Sequence, residues 1–316
     1  MAWFFRRNKQ QAAVAEQAKL AQQTQLAKQQ AAGGEQFQWL GERRHIANAP
    51  YVLPSDDQEI NRLDFQHYML RYALRGNYAA PLTQPTSILD VGSGTGRWAM
   101  EMAQLFPQAN VVGTDLVEPK SETVAASLGY GLDTRPENYA FIQGNVLEGL
   151  PFGDNSFDFV HVRLLLFAIP AEKWPVLARE VLRVTKPGGW VESVETGPQR
   201  NGGPAMDALV QWITQTSVRR GVDPLLGPRI ASFYADAGAR GMQAHSVTVP
   251  VGRYGGRLGN MAEVDVFSVV GGVKPLVVSQ GITDADTYDR AMAQARADLD
   301  RWQCVLPFYI AYGQKA

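Results

Sequence analysis

The segment Ile88-Leu89-Asp90-Val91-Gly92-Ser93-Gly94-Thr95-Gly96-Arg97-Trp98 restricts the fold of this chain more than any other. A short apolar run, the mark of a buried strand, breaks into glycines at alternate positions and resumes as a helix. Glycine accepts the left-handed backbone that a tight strand-to-helix turn demands. It also lets a ligand approach the main chain with no Cβ in the way. The first N–H groups of the helix add partial positive charge at the same place. The segment therefore reads as a nucleotide-binding turn. The dinucleotide fingerprint G-x-G-x-x-G does not fit, because with Gly92 and Gly94 in place the third glycine belongs at a position held by Arg97. A P-loop is excluded too, since no Gly-Lys-Ser/Thr follows.

From Thr86 to Thr196 strands alternate with helices. Strands are predicted over 87–91, 110–115, 139–143, 157–162 and 190–194. Helices are predicted over 98–106 and 171–185, the second stopping at Lys186-Pro187-Gly188-Gly189. Such alternation implies a parallel sheet with right-handed crossovers. Further on, 205–219 and 229–237 read as helices and 244–251 as a strand. Residues 258–303 read as mostly helical, with a break near Pro275 and a cap at Thr283 or Asp284, and 307–312 as a closing strand. Ahead of the glycine turn, Ile60, Leu63, Phe65, Met69 and Leu70 form a helical stripe behind an N-cap at Ser55 or Asp56. That helix is expected to pack in front of the turn.

A chain of 316 residues can bury a substantial core without staples. No apolar stretch approaches the roughly 18 residues a spanning helix needs. A net charge of −1 encodes no global pull toward nucleic acid. Four scattered histidines leave no metal-ligand spacing. The single cysteine, Cys304, suits a reducing, cytoplasmic setting. Residues 1–34 form an Ala/Gln-rich arm whose five basic residues face one acid, leaving −5 for the rest. With Trp3, Phe4 and Phe5 at its tip, this arm is either a membrane- or protein-contacting element or a solvated, frayed helix.

The turn resembles that of class I S-adenosylmethionine (SAM)-dependent methyltransferases, which place acid-x-Gly-x-Gly-x-Gly after the first strand, as Asp90-Val91-Gly92-Ser93-Gly94-Thr95-Gly96 does. In that family a second acid ends the next strand and binds the ribose diol, and Asp115, followed by Leu116, matches it. Gly144-Asn145-Val146 stands where the family usually has Gly-Asp-Ala near the adenine, a departure that still offers a carbonyl acceptor. Leu150-Pro151…Asp154…Phe157-Asp158 and Arg183…Lys186-Pro187-Gly188-Gly189 match as well. The block from Tyr51 to Leu70 is similar to the segment that precedes the turn in LaeA-type methyltransferases, a group of secondary-metabolism regulators. The resemblance covers about residues 50–196.

The resemblance implies a doubly wound, seven-stranded, mostly parallel α/β sheet of Rossmann-like type. It would carry an N-terminal helical cap over 35–86, a methyltransferase domain over 87–316 and a helical insertion over 252–303 above the substrate cleft. It also implies SAM as cofactor, held by Asp90, Gly92, Ser93, Gly94, Gly96, Asp115, Leu116, Asn145 and Val146. Arg163 is expected at the cofactor carboxylate or an acidic substrate, and Tyr51 and Arg62 at the methionine end. A sulfonium is already activated, so alignment and desolvation are the protein's main tasks. His161 and His67 are candidates for a base or orienting group, with a core histidine as the alternative for His161. Glu195, at a strand end, is a weaker candidate. The activity the resemblance implies is methyl transfer to a small-molecule acceptor, with secondary metabolism as its setting. The alternative is a SAM-binding regulator or scaffold acting through protein partners.

Overall fold

The computed structural model describes residues 37–46, 50–118 and 135–316. The basic arm lies outside the described residues. Strands β1 (Phe37–Leu40) and β2 (Arg43–Ile46) pair as an antiparallel hairpin, with Gly41 at φ 60° in the turn. The helical cap expected over 35–86 thus begins with an unforeseen strand pair. The signal was Phe37 and Trp39 alternating ahead of a Gly41-Glu42 turn. Helix α1 (Asp57–Leu74) follows, capped by the Asp56 side chain, which accepts from Glu59 N. Asp56 also pairs with Arg43 at 2.6 Å, which ties the hairpin to the start of the helix.

One sheet contains β3 (Ser87–Val91), β4 (Asn110–Asp115), β5 (Tyr139–Gln143), β6 (Phe157–Arg163), β7 (Thr185–Thr196), β8 (Ala239–Pro250) and β9 (Val305–Lys315), in the order β5-β4-β3-β6-β7-β9-β8. The first five are parallel, and β9 runs antiparallel to both neighbours. The seven-stranded, mostly parallel sheet is thus the one expected. Strand order reverses between β3 and β6, which opens a crevice at the carboxyl ends of these strands. Every residue of β3 is buried, as a parallel strand covered on both faces requires.

Helices α2 (Arg97–Leu105), α3 (Trp174–Val184), α4 (Gly203–Arg219), α5 (Ile230–Asp236), α6 (Gly256–Ser279) and α7 (Ala285–Trp302) complete the described elements. Pro275 does not break the chain: it sits inside α6, and the turn comes at 280–284, where Asp284 caps α7. Proline removes one helical hydrogen bond. The burial of Val266, Val270, Val273 and Val277 along α6, at about 1.5–3 kcal/mol per side chain, outweighs that loss. These residues share a core with α1 (Met69, Leu70), α4 (Met206, Leu209) and β9 (Leu306, Phe308). The insertion between β8 and β9 is therefore packed onto the N-terminal helix, and the two close over the crevice together.

Candidate functional site

A cavity of about 460 Å³ lies at the carboxyl ends of β3, β4 and β6. Its floor is the glycine turn, and its walls come from α1, the turn after β6, α4, α6 and β9. The three glycines serve different ends, although all have positive φ (71°, 53° and 75° in chain order). A Cβ on Gly92 would lie 2.5 Å from Leu165 Cδ2, and one on Gly96 would lie 2.5 Å from Tyr139 Oη. Packing closes those two positions. A Cβ on Gly94 would meet only Leu63 Cδ1, at 3.7 Å, and Leu63 and Gly94 both line the cavity. Gly92 lines the cavity as well, but Gly94 is the position where bare backbone has open space ahead of it. Gly96 is not among the lining residues; it is the left-handed N-cap of α2.

Asp115 ends β4 beside this turn. Gly94 N donates to its Oδ2 at 2.8 Å and Leu116 N to its Oδ1 at 2.7 Å. The carboxylate is thus fixed against the turn and keeps acceptor capacity beyond these bonds. Burial pushes the Asp115 carboxyl up, against the pull of the N–H groups of Gly94, Leu116 and Val117. Leu116 is exposed at the mouth. Ser93 Oγ is buried without a partner, against Gly113, so Ser93 offers the cavity little beyond its main chain. Asn145 closes its own turn: its Oδ1 accepts from Leu147 N at 3.0 Å and its Nδ2 donates to Glu148 at 2.9 Å. Val146 lines the cavity beside it.

His161 requires a correction. It is 1% exposed and is not among the residues lining the cavity. Its Nδ1 meets Asp90 Oδ1 at 3.1 Å, and its ring stacks on Trp98 at 3.8 Å. Cross-strand register explains this, since Asp90 of β3, His161 of β6 and Glu192 of β7 stand side by side. Burial pushes the His161 imidazole below its ordinary value, so it is a neutral core residue. Asp90 does reach the cavity wall.

Arg62 lines the cavity but is largely committed to acids of its own fold. The residue is 7% exposed, and three of its five N–H donors bond Glu59 (2.6 and 2.8 Å) and Asp265 (2.8 Å). Gln66 donates to Asp265 at 3.0 Å, and Tyr51 Oη donates to Glu59 at 3.3 Å. This cluster joins α1 to α6 across the cavity wall. Sequence reasoning missed Asp265, although a lone acid within the apolar run Val264–Val270 was the available signal.

His67 and Arg163 are brought together. Both line the cavity, with Arg163 Nη2 3.2 Å from His67 Nδ1. His67 Nε2 faces Glu101 Oε2 at 3.2 Å, and Glu101 is held well below the usual carboxylate range, to about 2, with His67 and Arg71 donating to it against the effect of burial. Glu195 is fully buried at the end of β7 and also lines the cavity. It accepts from Leu165 N (2.8 Å) and Leu166 N (3.2 Å), and burial pushes its carboxyl up to about 8. It thereby holds the turn after β6, where Leu164 has a left-handed φ of 57° and Leu165 covers Gly92.

Among the described residues no cluster of side chains suits a metal ion, and no helix is long and apolar enough to cross a membrane. A methyltransferase-domain model matches residues 88–189. The chain is 39% identical over 146 residues to methyltransferase str3 of Strobilurus tenacellus, covering 46% of this chain and 48% of that protein. It is 34% identical over 169 residues to the secondary metabolism regulator LAE1 of Cochliobolus heterostrophus, with 51% and 50% covered. With N-methyltransferase sirN of Leptosphaeria maculans it shares 29% over 240 residues, with 73% and 81% covered. The chain spans about half the length of the first of these relatives. The strand order and the glycine turn agree with these likenesses: residues 88–189 carry a methyltransferase domain, and the chain is similar to LaeA-type regulators and to other methyltransferases.

Proposed function

We propose that this protein is a SAM-dependent methyltransferase acting on a small-molecule acceptor. The observation that carries the reading is the continuity of one cavity, from the turn at Gly94 and Asp115 to an apolar end formed by Ile213 of α4, Val266 and Val270 of α6, and Leu306 and Phe308 of β9. The residues present fit the cofactor. Gly94 leaves a cradle that a Cβ would fill, and Asp115 offers two anchored carboxylate oxygens to a vicinal diol. Asn145 and the main chain of Val146 would meet the adenine, and Tyr51 lines the same cavity from the cap. SAM bound there supplies a methyl group already activated by its sulfonium. The apolar walls exclude water and hold an acceptor in place, which suits a reaction limited by alignment and desolvation. Neither histidine is a ready base, because His161 lies in the core and both ring nitrogens of His67 are engaged. The single cysteine, buried Cys304, suits a cytoplasmic setting.

Calorimetry with SAM and S-adenosylhomocysteine tests the reading. Asp115→Ala is expected to weaken binding by about ten-fold or more, the loss of a charged hydrogen-bonding group. Absence of binding by the wild-type protein removes the reading. The likeness to LAE1 favours a second one, a SAM-binding regulator acting through partners. Transfer of label from methyl-labelled SAM to small molecules of a cell extract separates the two.

A further inference from the structure

We propose that Arg163 is the carboxylate receptor of this cavity and that His67 is the positioning residue that aims it there. The inference rests on the methyltransferase reading for one of its two ligand sources and on geometry alone for the rest. Arg163 ends β6 and lines the cavity. Among the described residues its one hydrogen-bonding partner is His67, and no carboxylate lies within ion-pair distance of it. The acids that surround it act only at longer range and are committed elsewhere. Asp90 meets His161, Glu192 accepts from Ala79 N and Ala80 N (both 2.7 Å), and Glu101 accepts from Arg71 and Asn77. A guanidinium has five N–H donors and no acceptor. Half-buried at the cavity wall with one donor used, it is an incomplete site: a charge drawn partly out of water is costly until it is paired and hydrogen-bonded. The group that completes it is a carboxylate, whose two oxygens match two parallel N–H bonds.

His67 decides where those donors point. Arg163 can only donate, so His67 Nδ1 accepts, and the imidazole proton is on Nε2, facing Glu101. Glu101 in turn is fixed by Arg71 at 2.6 Å and Asn77 at 3.0 Å. The order Glu101, His67, Arg163 runs from α2 through α1 to β6. It holds one edge of the guanidinium, leaving the rest for a ligand. His67 is 1% exposed, held between Glu101 and Arg163.

The carboxylate has two possible sources: the amino-acid tail of the cofactor, or an acidic acceptor. Three probes tell them apart: S-adenosylhomocysteine, 5′-methylthioadenosine (which lacks the tail) and benzoate, each titrated into wild-type, Arg163→Met, Arg163→Lys, His67→Phe and His67→Gln protein. If the tail is the source, Arg163→Met weakens S-adenosylhomocysteine about ten-fold or more and leaves 5′-methylthioadenosine within about two-fold. Arg163→Lys, a point charge without the fork, lies between. His67→Phe shows the same selective loss, and His67→Gln, which keeps an acceptor, recovers part of it. If the acceptor is the source, both nucleosides bind alike in every variant, while benzoate binds the S-adenosylhomocysteine-loaded wild type and is lost in Arg163→Met and His67→Phe. A merely structural role would weaken all probes together, and that result overturns the proposal, as does an Arg163→Met protein that binds all three like wild type. Failure of the wild type to bind either nucleoside sinks the methyltransferase reading instead. Benzoate with the unliganded protein then decides the assignment, which falls if Arg163→Met makes no difference to it.

Discussion

At the scale of single residues, three glycines that look equivalent in sequence are not equivalent in space. A Cβ on Gly92 or Gly96 would press on Leu165 or Tyr139, whereas Gly94 has room but faces the cavity. Gly94→Ala is therefore expected to fold, at a cost of about 1 kcal/mol for a left-handed alanine, and to lose S-adenosylhomocysteine affinity by about ten-fold. Gly96→Ala, pressed against Tyr139 Oη, is expected to lower the melting temperature more and to leave the affinity of the folded protein nearly unchanged. Calorimetry beside thermal melts checks both, and equal effects on binding would remove the distinction. Asp115 was legible because an acid at the end of the second strand has one place to go in this topology. His161 was not: its alternation with Val160 and Val162 shows that it points to one face of the sheet, but not that Asp90 and Trp98 wait there.

Among the elements, the cap and the insertion are the informative pair. Helices α1 and α6 lie about two hundred residues apart in the chain and meet through Arg62, Glu59, Asp265 and Gln66. Arg62→Met strands two buried carboxylates and is expected to cost about 3–5 kcal/mol. Asp265→Ala leaves Arg62 paired with Glu59 and is expected to cost less, about 1.5–3 kcal/mol. Urea unfolding of the two variants gives the order, and a larger loss in Asp265→Ala would contradict the idea that charge imbalance governs this wall. The helical stripe of α1 was readable because its period is local. The hairpin before it went unread because two four-residue strands carry little periodicity, and the break assigned to Pro275 was misplaced because core packing overrides one missing hydrogen bond.

Over the whole molecule, stability reflects acids kept protonated by burial. Glu195 is pushed up to about 8 and Glu192 to about 7, both from an ordinary value of 4.5. A carboxyl whose folded value is raised binds its proton more tightly in the native than in the unfolded state. Its stabilisation is complete below about 4.5 and is lost as pH rises through the raised value, at about 1.4 kcal/mol per pH unit per proton. The buried neutral histidines His67 and His161 act the opposite way, but only below their ordinary 6.5. The melting temperature is therefore expected to fall from pH 6.5 to 8.5, and the fall is expected to shrink in Glu195→Gln. A flat profile for the wild type would show that Glu195 titrates normally. The sequence by itself determined the sheet, the glycine turn, Asp115 and the helix ahead of them, because strand alternation, glycine backbone freedom and helical period are properties of neighbouring residues. Only the tertiary structure decided that Arg62 pairs with Glu59 and Asp265, that His161 belongs to the core and that His67 faces Arg163. Whether a charged or titratable side chain serves a ligand or its own fold depends on partners that chain crossovers bring from far away, and no local spacing encodes them.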